Sequence, residues 1–244
     1  MCKVHISLDD VKGIFKALTS ETYDSIFQTR TLKYLKNMHD LYGVKIHLFC
    51  TYKDGDYNLE NVPDCYVDEF KKNLDWLKFG FHCYEEKTVY SEGDELELER
   101  YFNRFHEQIK RITGQEDDTT AIRLHGFWGT EKICRNLREN GVKTLFAADD
   151  DRKSYNLAQR AEIILRDKGA YYDAAQDLMF VRSVTRLENA GDIVAEIEEK
   201  QRAGWDTISI FTHEWQMDRE DIRKKIEVCC QWDRERRMGY DTVD

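Results

Sequence analysis

The stretch ISLDDV, residues 6–11, decides how the rest of the sequence is interpreted. An apolar run typical of a buried β-strand ends there in two adjacent carboxylates, Asp9 and Asp10. Like charges side by side repel each other, and burying either one is costly unless a cation or a proton pairs with it. The pair therefore predicts a strand whose carboxyl end meets a positive partner.

Outward from this strand, runs typical of strands alternate with segments whose apolar residues recur every three or four positions, as in helices. The predicted strands cover 4–8, 44–50, 79–83, 121–125, 142–148 and 207–213. The predicted helices cover 31–43, 66–77, 94–112, 130–140, 190–202 and 218–238. The segment 150–188 shows no clear helical pattern and is predicted to form short strands around turns.

Strands that alternate with helices favour parallel pairing through right-handed crossovers. Seven or eight strands within 244 residues indicate an α/β fold, a distorted (β/α) barrel, rather than an open doubly wound sheet. The glycine-rich signatures of nucleotide-binding folds do not occur. Because no repeat, low-complexity tract or Ser/Pro-rich linker interrupts the chain, residues 1–244 are expected to form a single domain.

Composition and charge argue against several classes of function. A net charge of −10 and a pI near 5.3 disfavour nucleic-acid binding, because no positive field would attract a phosphate backbone. No apolar run approaches the roughly 20 residues that cross a bilayer, so no membrane contact is expected. The start MCKVHISL enters a strand directly instead of forming a signal peptide, and the seven cysteines include no C-x-x-C pair. We therefore expect a cytoplasmic protein, whose oligomeric state the sequence leaves open.

Titratable and aromatic side chains cluster at the predicted carboxyl ends of strands, where parallel α/β folds bind ligands. These residues are Asp9, Asp10, His82, Arg123, His125, His213 and Trp215. Each has an ordinary structural explanation: an aspartate can cap a helix, an arginine can form a salt bridge, and a histidine can be hydrogen-bonded in the core. Independent placement would not bring so many such groups to strand ends of the same sense. We therefore predict one site at this rim.

The order of these motifs resembles the polysaccharide deacetylase superfamily, the fold of the family 4 carbohydrate esterases. D-D follows the first strand, His the third, Arg the fourth, and F-T-H ends the last. The resemblance implies a distorted barrel, a saccharide substrate and a divalent metal, zinc first, with manganese or iron as alternatives. It implies that Asp9 is the catalytic base, that Asp10 binds the metal and that Arg123 orients the base. His213 would be the general acid.

The third strand departs from the family pattern H-x-x-x-H, in which both histidines bind the metal together with the aspartate. Here Glu86 stands where the second histidine after His82 is expected. Glu86 would complete an Asp-His-Glu site, His125 would supply the missing nitrogen instead, or the metal would be bound weakly or not at all. The sequence leaves these alternatives open. The proline that usually follows the arginine is also missing.

A divalent ion among these residues would leave a coordination position for water, lower the pKa of that water and polarise a carbonyl group. Asp9, kept ionised by Arg123, would take the proton of the water, and His213 would protonate the departing amine or alkoxide. The sequence thus predicts a metal-dependent hydrolase. It would remove an acyl group, acetyl first, from a sugar-like substrate by attack of a metal-bound water.

Three further residues are candidates for substrate binding. Trp128 and Trp215 follow site residues in the sequence, and indole faces stack on sugar rings, although tryptophan is more often buried packing. Arg186 lies in the segment 150–188, where a specificity insert is expected, and it suits a carboxylate or phosphate substituent. Glu188, two residues further on, could reach the site as well.

Two other functions are consistent with the same residues. A metal-independent glycoside hydrolase would need Asp9 or Asp10 opposite Glu86 or Glu214, although glycosidase barrels are often larger than this chain. A deacetylase-like barrel that lost its second histidine would be catalytically inactive and would bind only a saccharide or a protein partner.

Overall fold

The computed structural model of the protein describes residues 2–86, 88–116, 120–236 and 238–240. Its strands are β1 (Lys3–Val11), β2 (Ile46–Asp54), β3 (Tyr57–Asn58), β4 (Leu77–Glu85), β5 (Ala121–Ile122), β6 (Thr144–Ala147), β7 (Ala170–Asp173), β8 (Leu178–Arg186) and β9 (Thr207–His213). Its helices are α1 (Gly13–Ser20), α2 (Arg30–Tyr42), α3 (Val67–Lys71), α4 (Glu95–Thr113), α5 (Glu131–Glu139), α6 (Gln159–Lys168), α7 (Ile193–Arg202) and α8 (Glu220–Arg236). None of these helices is long and apolar enough to cross a membrane.

Seven strands pair in parallel in the order β4–β2–β1–β9–β8–β6–β5. β3 and β7 add short antiparallel hairpins to β2 and β8. The sheet curls into an open, distorted barrel, so the predicted fold class is confirmed. Within the described ranges no backbone pairing joins β4 to β5, which leaves a seam in the barrel wall.

The first strand shows why both faces of the barrel wall are buried. Successive side chains of a strand point to opposite faces. On β1, Ile6 and Leu8 belong to the main apolar core. The intervening His5, Ser7 and Asp9 point into the barrel, where His5 stacks on a phenylalanine ring of β6 at a centroid distance of 4.2 Å. Burial on both faces explains the nearly continuous apolar character of the strands.

The helix ends follow the sequence signals. The Thr130 hydroxyl accepts a hydrogen bond from the backbone N–H of Ile133 at 3.2 Å and caps the start of α5. Gly43 and Gly114 follow α2 and α4 with φ of 70° and 71°, the left-handed conformation that glycine adopts without steric cost. The helices predicted over 31–43, 94–112 and 130–140 are confirmed within one or two residues. Residue 237 of the helix predicted over 218–238 lies outside the described residues.

The absence of a helix from the segment 150–188 is a wrong prediction. α6 covers Gln159–Lys168, and β8 is a full strand of nine residues rather than one of several short ones. α6 buries only Ala161 and Leu165, while Ile163 is 49% exposed. Because an isoleucine lies on its outer face, the helix lacks a clean apolar period.

The helix predicted over 66–77 is too long. α3 ends at Lys71, and Leu77 already begins β4. The Asn73 side chain explains the early end: its amide donates to the carbonyl oxygen of Glu69 at 2.8 Å and its oxygen accepts from the indole N–H of Trp76 at 2.9 Å. The strand predicted over 121–125 is likewise shortened to Ala121–Ile122.

Candidate metal and catalytic site

A β-bulge near the end of β1 brings both carboxylates of the ISLDDV stretch to the same rim. Three steps along β1, from Leu8 to Val11, match only two steps along β2. Asp10 has φ of 55°, a left-handed conformation that aspartate adopts more readily than most residues. In a regular strand Asp9 and Asp10 would face opposite sides of the sheet. The extra residue redirects Asp10 and keeps both side chains at the site.

Asp9 is paired inside the barrel with Arg123, whose side chain is fully buried. Arg123 Nη1 donates to Asp9 Oδ1 at 2.7 Å and to Ser7 Oγ at 2.8 Å, and Nη2 donates to Ser183 Oγ at 3.1 Å. Four aromatic rings surround the guanidinium, with centroids 4.4–6.0 Å from Cζ: Phe49, Phe127, Phe146 and Phe211. These contacts hold the Asp9 carboxylate in one orientation.

Asp10 lies at the rim among imidazole rings. Its Oδ1 is 3.3 Å from His82 Nε2 and 3.4 Å from His125 Nδ1. One ligand atom of each of these three residues lies within 4.8 Å of the others. Asp10 Oδ1 and His125 Nδ1 are both buried and have no hydrogen-bond partner among the described residues. We call Asp10, His82 and His125 the rim cluster.

The hydrogen bond on the far side of His82 decides what its Nε2 can do. His82 Nδ1 is 2.6 Å from the carbonyl oxygen of Arg123. Because a carbonyl only accepts, Nδ1 carries the hydrogen, and Nε2 of the neutral ring points a lone pair at the Asp10 carboxylate. Two electron-pair donors at this distance repel each other unless a proton or a metal cation lies between them. One carboxylate and two imidazoles are a donor set that suits a divalent metal ion with an open coordination position.

The pKa values of Asp10 and His82 shift in opposite directions. Burial alone would raise the pKa of Asp10, but the imidazoles of His125 and His82, which lie close to the carboxylate, lower it well below its usual range. Burial alone would lower the pKa of His82, but contact with Asp10 and the charge of Asp9 raise it. In the metal-free protein a proton on His82 is therefore favoured beside the Asp10 carboxylate, and a bound metal would take the place of that proton.

His213 faces Asp10 from the neighbouring strand. It pairs in register with Asp9, and its Nε2 lies 4.0 Å from Asp10 Oδ2. Its Nδ1 is 2.7 Å from Glu188 Oε1, which also accepts the backbone N–H of His213 at 3.1 Å. Burial lowers the pKa of His213, but the hydrogen bond to Glu188 and the charges of Asp9, Glu188 and Asp10 together outweigh it, so the pKa is raised. Glu188 thus orients the ring with Nε2 toward the rim cluster.

The structure does not bring Glu86 to the rim cluster. Glu86 Oε2 pairs with Lys12 Nζ at 2.7 Å, and the same ammonium group binds Asp54 Oδ2 at 2.5 Å. His125 reaches Asp10 because β5 ends early and the chain turns at Gly126, whose φ is 67°. Of the alternatives that the sequence leaves open, the geometry favours His125 over Glu86 as the third ligand.

Glu214 has a structural role that weakens the glycoside hydrolase alternative. Its buried carboxylate accepts the backbone N–H groups of Lys12, Gly13 and Ile14 at 2.5–2.7 Å and so covers the N-terminus of α1. Glu86 is held by Lys12. Glu214 and Asp10 line one pocket, but both glutamates are already engaged, Glu214 by three backbone N–H groups and Glu86 by Lys12, so neither is free to act as the second catalytic carboxylate.

Two pockets adjoin the rim cluster. The first has a cavity volume of about 200 Å³ and is lined by Asp9, His82, His125, Gly126, Phe127, Arg152, Arg186, Phe211 and His213. The second, of about 250 Å³, is lined by Asp10, the start of α1 and Trp215. Trp215 is 61% exposed and stacks on His213 at a centroid distance of 5.4 Å. Arg186 and Trp215 therefore lie at the site, whereas Trp128 lines neither pocket.

Sequence reasoning missed Arg152, which lines the first pocket. The signal was present: β6 is followed by the charged run Asp149-Asp150-Asp151-Arg152. The rule that polar residues at strand ends form the site would have included this run. A strand is predicted over 142–148, but the segment 150–188 is treated as one specificity insert, so Arg152 is not singled out.

Solved structures share this fold at low sequence identity. A Mycobacterium smegmatis protein described as a polysaccharide deacetylase aligns over 98% of this chain and 86% of its own, with a TM-score of 0.56 and 13% identity. A family 4 acetyl xylan esterase from Clostridium thermocellum, solved with a cobalt ion, aligns over 97% and 85%, with a TM-score of 0.52 and 9% identity. A 4-α-glucanotransferase from Thermococcus litoralis aligns over 94% of this chain and 37% of its own, with a TM-score of 0.55 and 10% identity.

The fold and the site together define an α/β barrel with a group of potential metal ligands at its carboxyl rim. The fold is similar to that of solved polysaccharide deacetylases and family 4 esterases, as the motif order led us to expect. Comparison with protein-family models gives no match, and comparison with curated protein sequences gives none either. Because a glucanotransferase has a similar fold, the reaction must be argued from the site.

Proposed function

We propose that this protein is a metal-dependent hydrolase that removes an acyl group, acetyl first, from a sugar-like substrate. The rim cluster carries the proposal, because Asp10 Oδ1 and His125 Nδ1 are buried without hydrogen-bond partners beside the Nε2 lone pair of His82. These residues would hold zinc, with manganese or iron as alternatives. The exposed Trp215 beside His213 supports a sugar-like substrate, and the fold shared with an acetyl xylan esterase supports the acyl group.

Asp10, His82 and His125 would hold a divalent cation, which would supply the Lewis acidity that lowers the pKa of a water molecule and polarises an acyl carbonyl group. Asp9 lines the same pocket and is held by Arg123, so its carboxylate takes the proton of the attacking water. His213 is held by Glu188 through Nδ1 and presents Nε2 to the pocket, where it donates a proton to the departing amine or alkoxide. Acid and base thus stand on neighbouring strands.

The first test is metal content, measured by elemental mass spectrometry on dialysed protein that has been refilled with zinc, manganese or iron. The variants are His82→Ala and His125→Ala, with Glu86→Ala as the matched control. We expect about one equivalent in the wild type and in Glu86→Ala, and little in the two histidine variants. A wild type that binds no metal after refilling contradicts the proposal. Metal that survives His125→Ala but not Glu86→Ala contradicts the ligand assignment.

The second test is acetate release from acetylated monosaccharides and xylo-oligosaccharides by the refilled protein. Asp9→Asn and His213→Gln are expected to retain the metal and to lower kcat by roughly 100-fold or more, because each removes a proton-transfer group. If the wild type binds metal but releases no acetate from any of these substrates, the inactive, saccharide-binding alternative is favoured.

A further inference from the structure

The pocket of about 200 Å³ carries two guanidinium groups that the proposed hydrolysis does not use. Arg152 follows β6 and Arg186 ends β8, and both line the pocket together with three imidazoles. The chain as a whole has a net charge of −10, so this cationic wall differs from the average surface. We propose that the substrate bears a small oxyanion substituent, phosphate, sulfate or carboxylate, which Arg186 and Arg152 bind. This inference rests on the function proposed above for the same site.

Arg186 is held in place without being closely neutralised. Its backbone N–H donates to Asp149 Oδ2 at 3.0 Å, whereas its Nη2 lies 3.7 Å from Asp149 Oδ1, beyond hydrogen-bond distance. Its Nε is buried and has no hydrogen-bond partner in the described part of the chain. Its Cζ lies 5.4 Å from the ring centroid of Phe211, which supports the flat face of the guanidinium. A buried donor without an acceptor is costly, and a ligand oxyanion would supply the acceptor.

The guanidinium of Arg152 is held by Asp150 and Phe127. Its Nε and Nη2 donate to the carboxylate of Asp150 at 2.9 and 2.7 Å, which engages one edge of the guanidinium and leaves Nη1 outside that pair. Its Cζ lies 5.5 Å from the ring centroid of Phe127. The loop itself is fixed by Arg182, whose Nη2 donates to the carbonyl oxygens of Asp149 and Asp150 at 3.0 and 2.9 Å. The loop after β6 is therefore held in a defined conformation, in which Arg152 lines the pocket.

Guanidinium groups match the planar oxygen pairs of carboxylates and phosphates, so two of them at one pocket favour a charged substituent over a neutral hydroxyl. The cavity volume limits the substrate to a small molecule whose acyl group lies close to the rim cluster. The competing explanation is that Asp149 and Asp150 use up both cations as structural ion pairs. Under that explanation a neutral sugar and its phosphate would bind equally well.

The test compares N-acetylglucosamine 6-phosphate with N-acetylglucosamine by isothermal titration calorimetry on the zinc-loaded full chain. The same titrations on metal-stripped protein show whether the phosphate binds without the metal. We expect the phosphate sugar to bind at least roughly tenfold more tightly in both forms. Arg186→Gln should remove most of this difference, whereas Arg186→Lys should keep only part of it because it lacks the planar fork.

Arg160→Gln is the matched control, because it removes the same charge from an exposed position of α6. It should bind both sugars as the wild type does, and thermal unfolding should show that each variant is folded. Equal affinity of the wild type for the two sugars would overturn the inference. So would an Arg186→Gln variant that binds the phosphate sugar as tightly as the wild type.

Acetate release from the same two sugars separates this inference from the proposed function. Tight binding of the phosphate sugar without acetate release from any acetylated sugar would contradict the proposed function and leave the anion site standing. Acetate release from the neutral sugar with equal or better kcat/KM would leave the proposed function standing and contradict the anion site.

Discussion

Asp9 and Asp10 are neighbours in the sequence but lie in opposite environments. Asp9 belongs to an interior pair with Arg123, whose guanidinium also binds two serine hydroxyls and lies among phenylalanine rings. Asp10 belongs to the rim cluster, where a buried carboxylate oxygen faces two imidazoles without a hydrogen bond. In the interior the chain supplies both charges, so the interaction forms on folding. At the rim Asp10 Oδ1 and His125 Nδ1 lack hydrogen bonds, so a cation from outside would complete the interaction.

The largest expected effect comes from breaking the interior pair. Arg123→Met leaves the Asp9 carboxylate buried without its cation, which should lower the free energy of unfolding by about 3–5 kcal/mol. Urea denaturation followed by circular dichroism measures this change.

Replacing both Asp9 and Arg123 tests whether the loss of stability comes from the unpaired charge. Since most of the loss comes from the orphaned charge, the double variant Asp9→Leu/Arg123→Met should recover at least about half of it. Arg160→Met, an exposed control, should change stability by less than about 0.5 kcal/mol. A single Arg123→Met variant as stable as this control would remove the distinction between the interior pair and the rim.

The rim cluster should respond in the opposite way. Asp10→Asn should weaken zinc binding by roughly 100-fold, about 3 kcal/mol, because it removes the charged ligand. In the metal-free protein it should lower the free energy of unfolding by less than Arg123→Met does, because His82 can then lose its proton and no buried charge is left without a partner. Competition with a zinc chelator measures the affinity. If Asp10→Asn destabilises the metal-free protein as strongly as Arg123→Met does, the two aspartates are equivalent in folding and the comparison fails.

A smaller effect is expected at Glu188, which contacts the rim cluster only through His213. Glu188→Gln keeps the size of the side chain but weakens its hold on the His213 ring, and kcat should fall by roughly 10- to 100-fold. Metal content and KM should stay near the wild-type values, because Glu188 bonds to His213 rather than to the rim cluster and does not itself line the pocket. Glu188→Asp should regain part of the activity. A change in KM alone would place Glu188 in substrate binding instead.

The smallest effect is expected at the tryptophans. Trp215→Ala should raise KM by roughly 3- to 10-fold, in line with the loss of one aromatic stacking contact. Trp128→Ala, 39% exposed and outside both pocket linings, should change KM by less than about twofold. Steady-state kinetics on one acetylated sugar compares the two variants directly. A larger increase in KM for Trp128→Ala than for Trp215→Ala would indicate that the substrate binds on the Trp128 side of the rim.

The sequence is informative where one local rule determines the structure. Buried parallel strands leave apolar runs, and glycine after a helix marks its end, as at Gly43 and Gly114. The carboxyl ends of parallel strands meet at one rim, so Asp10, His82 and His125 could be predicted to lie together without any knowledge of distances.

The remaining features depend on contacts between distant segments. The choice between Glu86 and His125 follows from Lys12, which holds Glu86 through an ion pair that no pattern in the sequence indicates. α6 was missed because the exposed Ile163 hides its period, and its position depends on packing against the sheet. The single-domain prediction for residues 1–244 and the cytoplasmic location stay predictions.

The hexapeptide 9–14 has a consequence for how this protein can change over generations. Its residues reach four different strand ends: Asp9 contacts the residue after β5, Asp10 contacts β4, Lys12 contacts β2, and the backbone of Gly13 contacts the residue after β9. A substitution here alters one of these contacts. An insertion or deletion of one residue shifts all of them together, because the extra residue of the bulge determines the position of each following residue relative to the neighbouring strands. The stretch should therefore tolerate point changes far better than changes of length, unlike the surface loops of the same barrel.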